Sequence, residues 1–412
     1  MISQKKVDGL NKIFGPGVFT TEETNCKRQT ELDIAKGFSI IFMIWVHTME
    51  IFSNGEGIAN GIVENIFGSP FAAPVFMVCM GIGLRYSKKQ SASHLAKRGI
   101  DLLIIGLLVN VFRYVLPLLI RYAITGEDYY LNTYNFLFGV DVLEFAGLAF
   151  LFFALAKKCS ISDGWLVIIA VASSIVGEIL KFKTTGNVYL DQWLGYIWGN
   201  YDCQTFFPFL NWLIFPVFGF VFGKYLRHCA NKESFYLKAS IPCGIMGLLY
   251  VILGYAMGFG MYGENGYYYF LGPIDAFFVV LLVIGIFGFD YTLIKFAETA
   301  PFKALSDMSN NINTVYCIQW ILIGGIGITF EDLFPENGLT FVPMTALACL
   351  VVILSGTIGH WYQKHKFLKN RFARIAVLLF LIIVMALSLY GQTKVDLYQW
   401  IKEYGDMWEA HH

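Results

Sequence analysis

The chain has 412 residues and no net formal charge; 56% of its residues are hydrophobic and 15% are charged. A soluble domain of ordinary composition carries about 25% charged residues. This composition therefore excludes a water-soluble globular protein and indicates an integral membrane protein, with the lipid bilayer as its first partner. The even charge balance by itself indicates no partner, and we expect none among nucleic acids.

Apolar runs of about twenty residues indicate membrane-spanning helices, and the chain has about eleven. The predicted fold class is all-α, a polytopic transmembrane helix bundle within residues 31–391, preceded by a cytoplasmic segment at 1–30. An extracytoplasmic amphipathic tail is expected at 392–412, because its apolar residues recur at helical spacing. The predicted spans are 34–53, 66–84, 101–124, 136–156, 165–180, 206–222, 240–259, 273–289, 312–330, 341–361 and 375–390.

Lysine and arginine are concentrated in alternate connecting loops. They follow the second, fourth, sixth, eighth and tenth spans, whereas the loops 54–65, 260–272 and 331–340 contain none. By the positive-inside rule the N-terminus is predicted to be cytoplasmic and the C-terminus to lie outside. The N-terminal 29 residues lack the apolar core of a signal peptide, so we expect the first span to serve as its own insertion signal.

One histidine, His47, lies deep in the first apolar run. An ionisable side chain inside a membrane segment is costly and is a functional candidate by default. Lys36 precedes His47 by eleven positions, which puts both on nearly the same helix face, roughly 16 Å apart. Asp33 lies one turn before Lys36 and is placed to pair with it. The structural alternatives are a snorkelling lysine, a helix-capping aspartate and a histidine bonded to a neighbouring helix.

Further polar residues fall inside predicted spans. Asp141 and Glu144 lie three apart near the outer start of the fourth span, and so share a helix face. Arg113 lies at middle depth in the third span and is the natural partner of a buried carboxylate. We interpret these residues either as a substrate site or as a structural ion pair of Arg113 with Asp141 or Glu144.

Two predicted outer loops, 181–205 and 260–272, are rich in tyrosine and tryptophan. Aromatic residues gather at membrane interfaces, which is one interpretation of these loops. The other is a surface on which the apolar faces of sugar rings stack. The eight cysteines show no metal-site spacing, and we expect neither a metal site nor a disulfide framework.

The segment RQTELDIAKGFSIIFMIWVHTMEIF resembles the opening of the heparan-alpha-glucosaminide N-acetyltransferase catalytic-domain family. It is also similar to the related acyltransferase 3 family, whose hallmark is an arginine, ten residues and a histidine; Lys36 takes the arginine position and His47 the histidine. Further similar segments are FGSPFAAPVFMVCMGIGLRYSKK, DVLEFAGLAF, FFPFLNWLIFPVFGFVFGKYL with Trp212, and LSDMSNNINTVYCIQW, where Gln319 stands where histidine is common. The resemblance covers most of residues 28–361.

The resemblance implies a transmembrane acyl-CoA-dependent O- or N-acyltransferase. Acyl-CoA, foremost acetyl-CoA, would bind from the cytoplasm as a co-substrate, with no permanently bound cofactor. The acyl group would pass to a hydroxyl or amine of an extracytoplasmic glycan or other small acceptor, with His47 as general base or transient acyl carrier. The expected substrate-binding residues are Asp33, Lys36, Arg113, Asp141, Glu144, Trp212 and Gln319, and the expected coenzyme-binding residues are Arg85, Lys88, Lys89, Lys364 and Lys366.

Two other functions fit a polytopic membrane protein. A secondary transporter is disfavoured because the chain shows no repeat halves and no paired broken helices. A non-catalytic partner in polysaccharide export is the second alternative. In each case we expect a multi-pass protein of a cell membrane, foremost a bacterial plasma membrane, and a homodimer is left open.

Overall fold

The computed structural model describes residues 2–200, 202–263, 267–334, 338–365 and 371–394. Within these ranges the regular secondary structure is helical and contains no strand. The α-helices are α1 (Gln4–Phe14), α2 (Thr30–Phe52), α3 (Ile58–Ile62), α4 (Ala73–Tyr86), α5 (Ala92–Asn110), α6 (Leu116–Thr125), α7 (Thr133–Leu137), α8 (Val142–Lys158), α9 (Asp163–Leu180), α10 (Val188–Trp198), α11 (Phe209–Trp212), α12 (Ile214–Arg227), α13 (Lys232–Met257), α14 (Pro273–Thr292), α15 (Ala300–Asn310), α16 (Ile312–Thr329), α17 (Phe341–His365) and α18 (Arg371–Gln392).

Several α-helices are extended or joined by π-helical or 3-10 segments. Two π-helical segments occur, at Val63–Gly68 before α4 and at Val111–Val115 between α5 and α6. The short 3-10 helices lie at Asp128–Leu131, Gly260–Tyr262, Tyr268–Phe270, Leu293–Phe296 and Glu331–Leu333.

Ten helical stretches in the described ranges are long and apolar enough to cross a membrane. Each corresponds to one of the predicted spans, including Asp163–Leu180. The predicted span at 136–156 corresponds to α8, an apolar helix of 17 residues. The polytopic helical fold is thus confirmed. The tail residues Leu397, Trp400, Ile401 and Tyr404 lie outside the described ranges.

Close helix packing relies on paired glycines. A methyl group on Gly81 of α4 would lie 2.0 Å from the carbonyl oxygen of Pro216, and one on Gly219 of α12 would lie 2.0 Å from that of Val78. These backbones approach too closely for any side chain, as is common between membrane helices. The crossing fixes α4, which borders α2 and the residues around His47.

The start of α8 is set by its own side chains. Asp141 is the N-cap residue, and its Oδ1 accepts a hydrogen bond from Val142 N at 2.6 Å. Glu144 Oε2 accepts one from Asp141 N at 3.0 Å. This reciprocal arrangement is a capping box. It directs Glu144 back toward the helix end, where Gly106 of α5 leaves room for the carboxyl group.

The N-terminal segment is folded against the bundle. Asn11 of α1 brackets Phe19, donating to its carbonyl oxygen at 3.0 Å and accepting from its N–H at 2.8 Å. Phe14 and Phe19 pack against Phe235 of α13 with ring centroids 5.2 and 5.5 Å away. Residues 11–19 therefore cover the end of α13 that precedes its apolar part.

Candidate active site

A cavity of about 950 Å³ lies at the end of α2 that carries His47. Its walls include residues of α2 and of both π-helical segments, residues 200, 202, 204, 206 and 207, and residues 261, 262 and 267–269. In the orientation predicted from the loop charges, this is the outer side of the membrane. The cavity therefore brings together segments that are far apart in the sequence.

His47 lines this cavity and is 7% exposed. Its Nδ1 lies 3.3 Å from Gln319 Oε1 and 3.1 Å from Gln319 Nε2. If Nδ1 carries the proton, it donates to Oε1, and the second ring nitrogen is then free to accept a proton. If Nδ1 carries no proton, Gln319 Nε2 donates to it instead. A general base requires the first arrangement.

The indole of Trp320 contacts both His47 and Arg113. The imidazole stacks on it with ring centroids 3.9 Å apart and an interplanar angle of 24°. The guanidinium carbon of Arg113 lies 3.3 Å from the centroid of the same indole, within the range of a cation–π interaction. Trp320 is 3% exposed, and its Nε1 has no hydrogen-bond partner among the described residues. One aromatic platform thus fixes a base and a cation beside the same cavity.

The predicted ion pair of Arg113 forms with Asp141, at 2.6 Å between Nη1 and Oδ2. Arg113 also donates a short hydrogen bond to the hydroxyl of Tyr114. Both members of the ion pair line the cavity, whereas Glu144 does not. Glu144 instead caps α8 and lies 3.5 Å from Asn110 Nδ2. The two carboxylates that share a helix face therefore have different surroundings.

A wide helical turn presents Arg113 to the cavity. Arg113 and Tyr114 belong to the π-helical segment Val111–Val115, and Glu64 and Asn65 belong to the segment Val63–Gly68. Single π-turns inside α-helices are rare and frequently occur at functional sites. Gly324 of α16 makes room for the first of them, because a methyl group there would lie 2.6 Å from the Arg113 carbonyl oxygen.

Glu50 lines the cavity but was not among the residues predicted from the sequence. It lies one helical turn after His47, and its Oε1 accepts a hydrogen bond from the Tyr269 hydroxyl at 2.9 Å. Burial raises the pKa of Tyr269 well above its usual value, so this hydroxyl remains a donor at neutral pH. The available signal was the spacing of three between His47 and Glu50 within an apolar helix.

Trp212, a predicted substrate-binding residue, is fully buried and lies outside the cavity lining. Its Nε1 donates to the carbonyl oxygen of Tyr269 at 2.6 Å. Trp212 therefore holds the backbone of the residue that bonds Glu50. Its contact with the cavity is indirect.

The predicted pair at the other end of α2 forms. Lys36 Nζ lies 2.9 Å from Asp33 Oδ1, and Asp33 also accepts from Arg28 and, at 3.3 Å, from Ser309. The Lys36 side chain is 24% exposed. Neither Lys36 nor Asp33 lines the cavity around His47, so the helix carries two distinct polar positions.

The predicted coenzyme-binding cations have different surroundings. Arg85 donates to Asp163 at 2.6 Å and to the Phe220 carbonyl oxygen at 3.0 Å, and so joins α4 to α9 and α12. Lys88, Lys89 and Lys364 are exposed, and Lys366 lies outside the described residues. The exposed lysines are available to a ligand, whereas the Arg85 side chain is used in helix packing.

The outer aromatic residues divide into two groups. Phe182 and Tyr267 to Tyr269 line the cavity. Tyr189 and Trp193 are 46% and 51% exposed on α10, as expected of an interfacial belt. Both interpretations of these loops therefore have residues that fit them.

A comparison with protein families matches residues 29–360 to the acyltransferase 3 family, described as an acyltransferase domain. The match includes both ends of α2 and every described segment that lines the cavity. No curated protein matches the chain. The resemblance to the heparan-alpha-glucosaminide N-acetyltransferase family has no such match and stays a prediction.

Proposed function

We propose, because the chain belongs to the acyltransferase 3 family, that it transfers an acyl group, foremost acetyl, from cytoplasmic acyl-CoA to an extracytoplasmic acceptor. The acceptor atom is a hydroxyl oxygen or an amine nitrogen of a glycan or another small molecule. The observation that carries this proposal is the position of His47, which lines a cavity on the predicted outer side while Gln319 contacts its Nδ1.

As a general base, His47 removes the proton from the acceptor hydroxyl through its second ring nitrogen. The acceptor oxygen forms a bond to the thioester carbonyl carbon, and the bond from that carbon to the coenzyme sulfur breaks. The proton then passes from the imidazole to the departing thiolate. In the covalent variant the second ring nitrogen of His47 bonds to the thioester carbonyl carbon, and the bond from that carbon to the coenzyme sulfur breaks. The acceptor oxygen then bonds to the same carbon, the acyl–nitrogen bond breaks, and the acceptor proton passes to the coenzyme thiolate.

We assign stabilisation of the developing oxyanion to Arg113. It is the described cation that shares an aromatic contact with His47. Its ion pair with Asp141 and its contact with Trp320 hold the guanidinium in place before the reaction, and fixed charges of this kind stabilise a transition state effectively. Trp320 Nε1, which has no partner among the described residues, is a second donor for the same oxygen.

The cytoplasmic end of α2 and the exposed lysines of the inner loops are assigned to the coenzyme. Phosphate groups are attracted to lysine as a point charge. Lys36 substitutes for the family's arginine and keeps the charge, but it lacks the fork that binds a phosphate through two parallel hydrogen bonds. Its partial exposure beside Asp33 leaves the ammonium group open to a ligand.

Replacing His47 tests the proposal. General-base catalysis contributes about 10² to 10⁴ in rate, so His47→Ala and His47→Gln are both expected to lose at least 10²-fold in acetyl transfer. The matched control is His360→Ala, since His360 is an exposed histidine of α17 outside the cavity. Thermal shifts with coenzyme A and acetyl-CoA should persist in all three variants.

Turnover within a few-fold of wild type in folded His47→Ala protein would contradict the assignment. If His47 has only a structural role, His47→Gln should keep activity and His47→Ala should chiefly lose thermal stability. Incubation of wild-type protein with acetyl-CoA alone separates the two routes. A mass increase of one acetyl group on the peptide containing His47 supports the covalent route.

A further inference from the structure

Two carboxyl groups face the cavity beside His47 and have no part in the chemistry described above. Glu50 follows His47 by one turn of α2, and Glu64 belongs to the π-helical segment Val63–Gly68. Residues three apart on a helix have neighbouring side chains, with Cβ atoms about 5–6 Å apart. A molecule bound to Glu50 therefore also reaches the imidazole.

The carboxyl groups of Glu50 and Glu64 keep unused hydrogen-bonding capacity. Glu50 accepts one hydrogen bond, from Tyr269. The Glu64 side chain makes no hydrogen bond or ion pair with any described residue, although it lines the cavity. A carboxylate has two oxygens and about four acceptor positions. These groups can therefore accept further bonds from O–H or N–H groups of a ligand.

The cations of the cavity wall are already paired. Among the described lining residues these are Arg113, which lies 2.6 Å from Asp141, and Lys181, which lies 2.8 Å from Glu178. An anionic ligand would thus meet the carboxyl groups of Glu50, Glu64 and Asp202 and no uncommitted cation among the described lining residues. Burying a charged group without an opposite partner is costly, so this lining disfavours an anionic ligand.

The wall also offers flat apolar surface. Phe182, Tyr267 and Tyr268 line the same cavity. Aromatic rings present large apolar faces, and a pyranose ring has an apolar face of similar size. The combination of ring faces with hydrogen-bond acceptors suits a polyhydric ring rather than a hydrocarbon.

We propose that Glu50 and Glu64 form the acceptor subsite, and that it takes a neutral or amino sugar and rejects acidic sugars such as uronates. This inference rests on the proposed function and names its substrate class. The sugar donates hydroxyl or ammonium groups to the two carboxyl groups, and a neighbouring hydroxyl lies at His47. That hydroxyl forms the new ester bond as the thioester bond breaks, and its proton leaves through His47 to the coenzyme thiolate.

The full-length protein in lipid nanodiscs provides the test, with acetyl-CoA as donor. The acceptor probes are methyl glucoside, methyl glucosaminide and methyl glucuronide. Wild type should use the first two with a kcat/KM at least ten-fold above that for the glucuronide. Glu50→Gln and Glu64→Gln should each raise the KM for the neutral acceptors at least ten-fold. The control Glu56→Gln removes an exposed carboxylate outside the cavity lining and should change KM less than two-fold.

Equal use of glucuronide and glucoside by wild type would overturn the proposal, as would an unchanged KM in both Glu50→Gln and Glu64→Gln. Saturation-transfer NMR of the glycosides without donor separates this inference from the proposed function. Binding of methyl glucoside that is lost in Glu50→Gln, without any acetyl transfer, supports the subsite and rejects the acyl transfer. Absence of binding by both neutral glycosides rejects the subsite.

Discussion

Gly324 of α16 controls the position of Arg113 from a neighbouring helix, and replacing it tests the role of that arginine. A methyl group at this position would lie 2.6 Å from the Arg113 carbonyl oxygen and 2.7 Å from its Cγ. The first distance is about 0.8 Å short of the 3.4 Å at which such contacts become ordinary. Because both the backbone and the side chain of Arg113 are in the way, rotation of one side chain cannot relieve the clash.

Gly324→Ala should therefore move the π-helical segment away from α16 by several tenths of an ångström. Overpacking of this kind costs about 1–3 kcal/mol of stability. A misplacement of about 1 Å in a catalytic geometry can lower the rate about 10²-fold. We expect a 10- to 100-fold loss of acetyl transfer, measured as release of coenzyme A thiol at saturating acetyl-CoA, with a modest loss of thermal stability.

Gly325→Ala is the matched control. It makes the same substitution one residue later, and its methyl group would lie 3.6 Å from the nearest atom, the Phe112 carbonyl oxygen. Its activity should stay within two-fold of wild type. Equal activity of Gly324→Ala and wild type, in protein of confirmed sequence and fold, would refute the argument that Arg113 must be held in its present position.

Two further predictions concern the inner loops and the orientation. Replacing both Lys88 and Lys89 by alanine should weaken acetyl-CoA binding more at low salt than at high salt, because exposed charges are screened by ions. Titration of the double variant with acetyl-CoA at two salt concentrations measures this effect, and unchanged affinity at low salt would place the coenzyme elsewhere. Arg85→Ala should instead lower thermal stability, since Arg85 pairs with Asp163. A single cysteine introduced at Glu56 in a cysteine-free background should react with an impermeant maleimide from outside, and one at Lys88 should not; the reverse pattern would invert the orientation.

The sequence predicted the helical spans well. A membrane span must satisfy its backbone hydrogen bonds internally and is therefore a long apolar helix, which is recognisable from its length and hydropathy. The predicted span at 136–156 differs from α8 at its start. Residues 138–141 of that span are not helical, because the capping box of Asp141 and Glu144 starts the helix at Val142. Local side-chain chemistry there overrides the hydropathy pattern.

The residues that surround the cavity were predicted only in part. The positions of His47 and Arg113 followed from the cost of burying such groups. Glu50 was missed because its partner, Tyr269, lies 219 positions away and no local pattern marks the contact. Trp320 was missed for a similar reason, since a tryptophan in an apolar helix is ordinary until the imidazole stacked on it is seen. A single sequence does not show which distant segments are in contact, so residues defined by such contacts were not predicted.

The wide turn at Val111–Val115 also has a consequence for how this protein tolerates changes in length. A π-turn contains about one residue more than an α-helical turn. Deleting one residue in this segment would therefore leave an unbroken α-helix that still spans the membrane, with α5 and α6 close to their present orientations. The deletion would chiefly change the position from which Arg113 faces the cavity. A one-residue deletion at this turn should therefore be mild for folding and severe for the cavity.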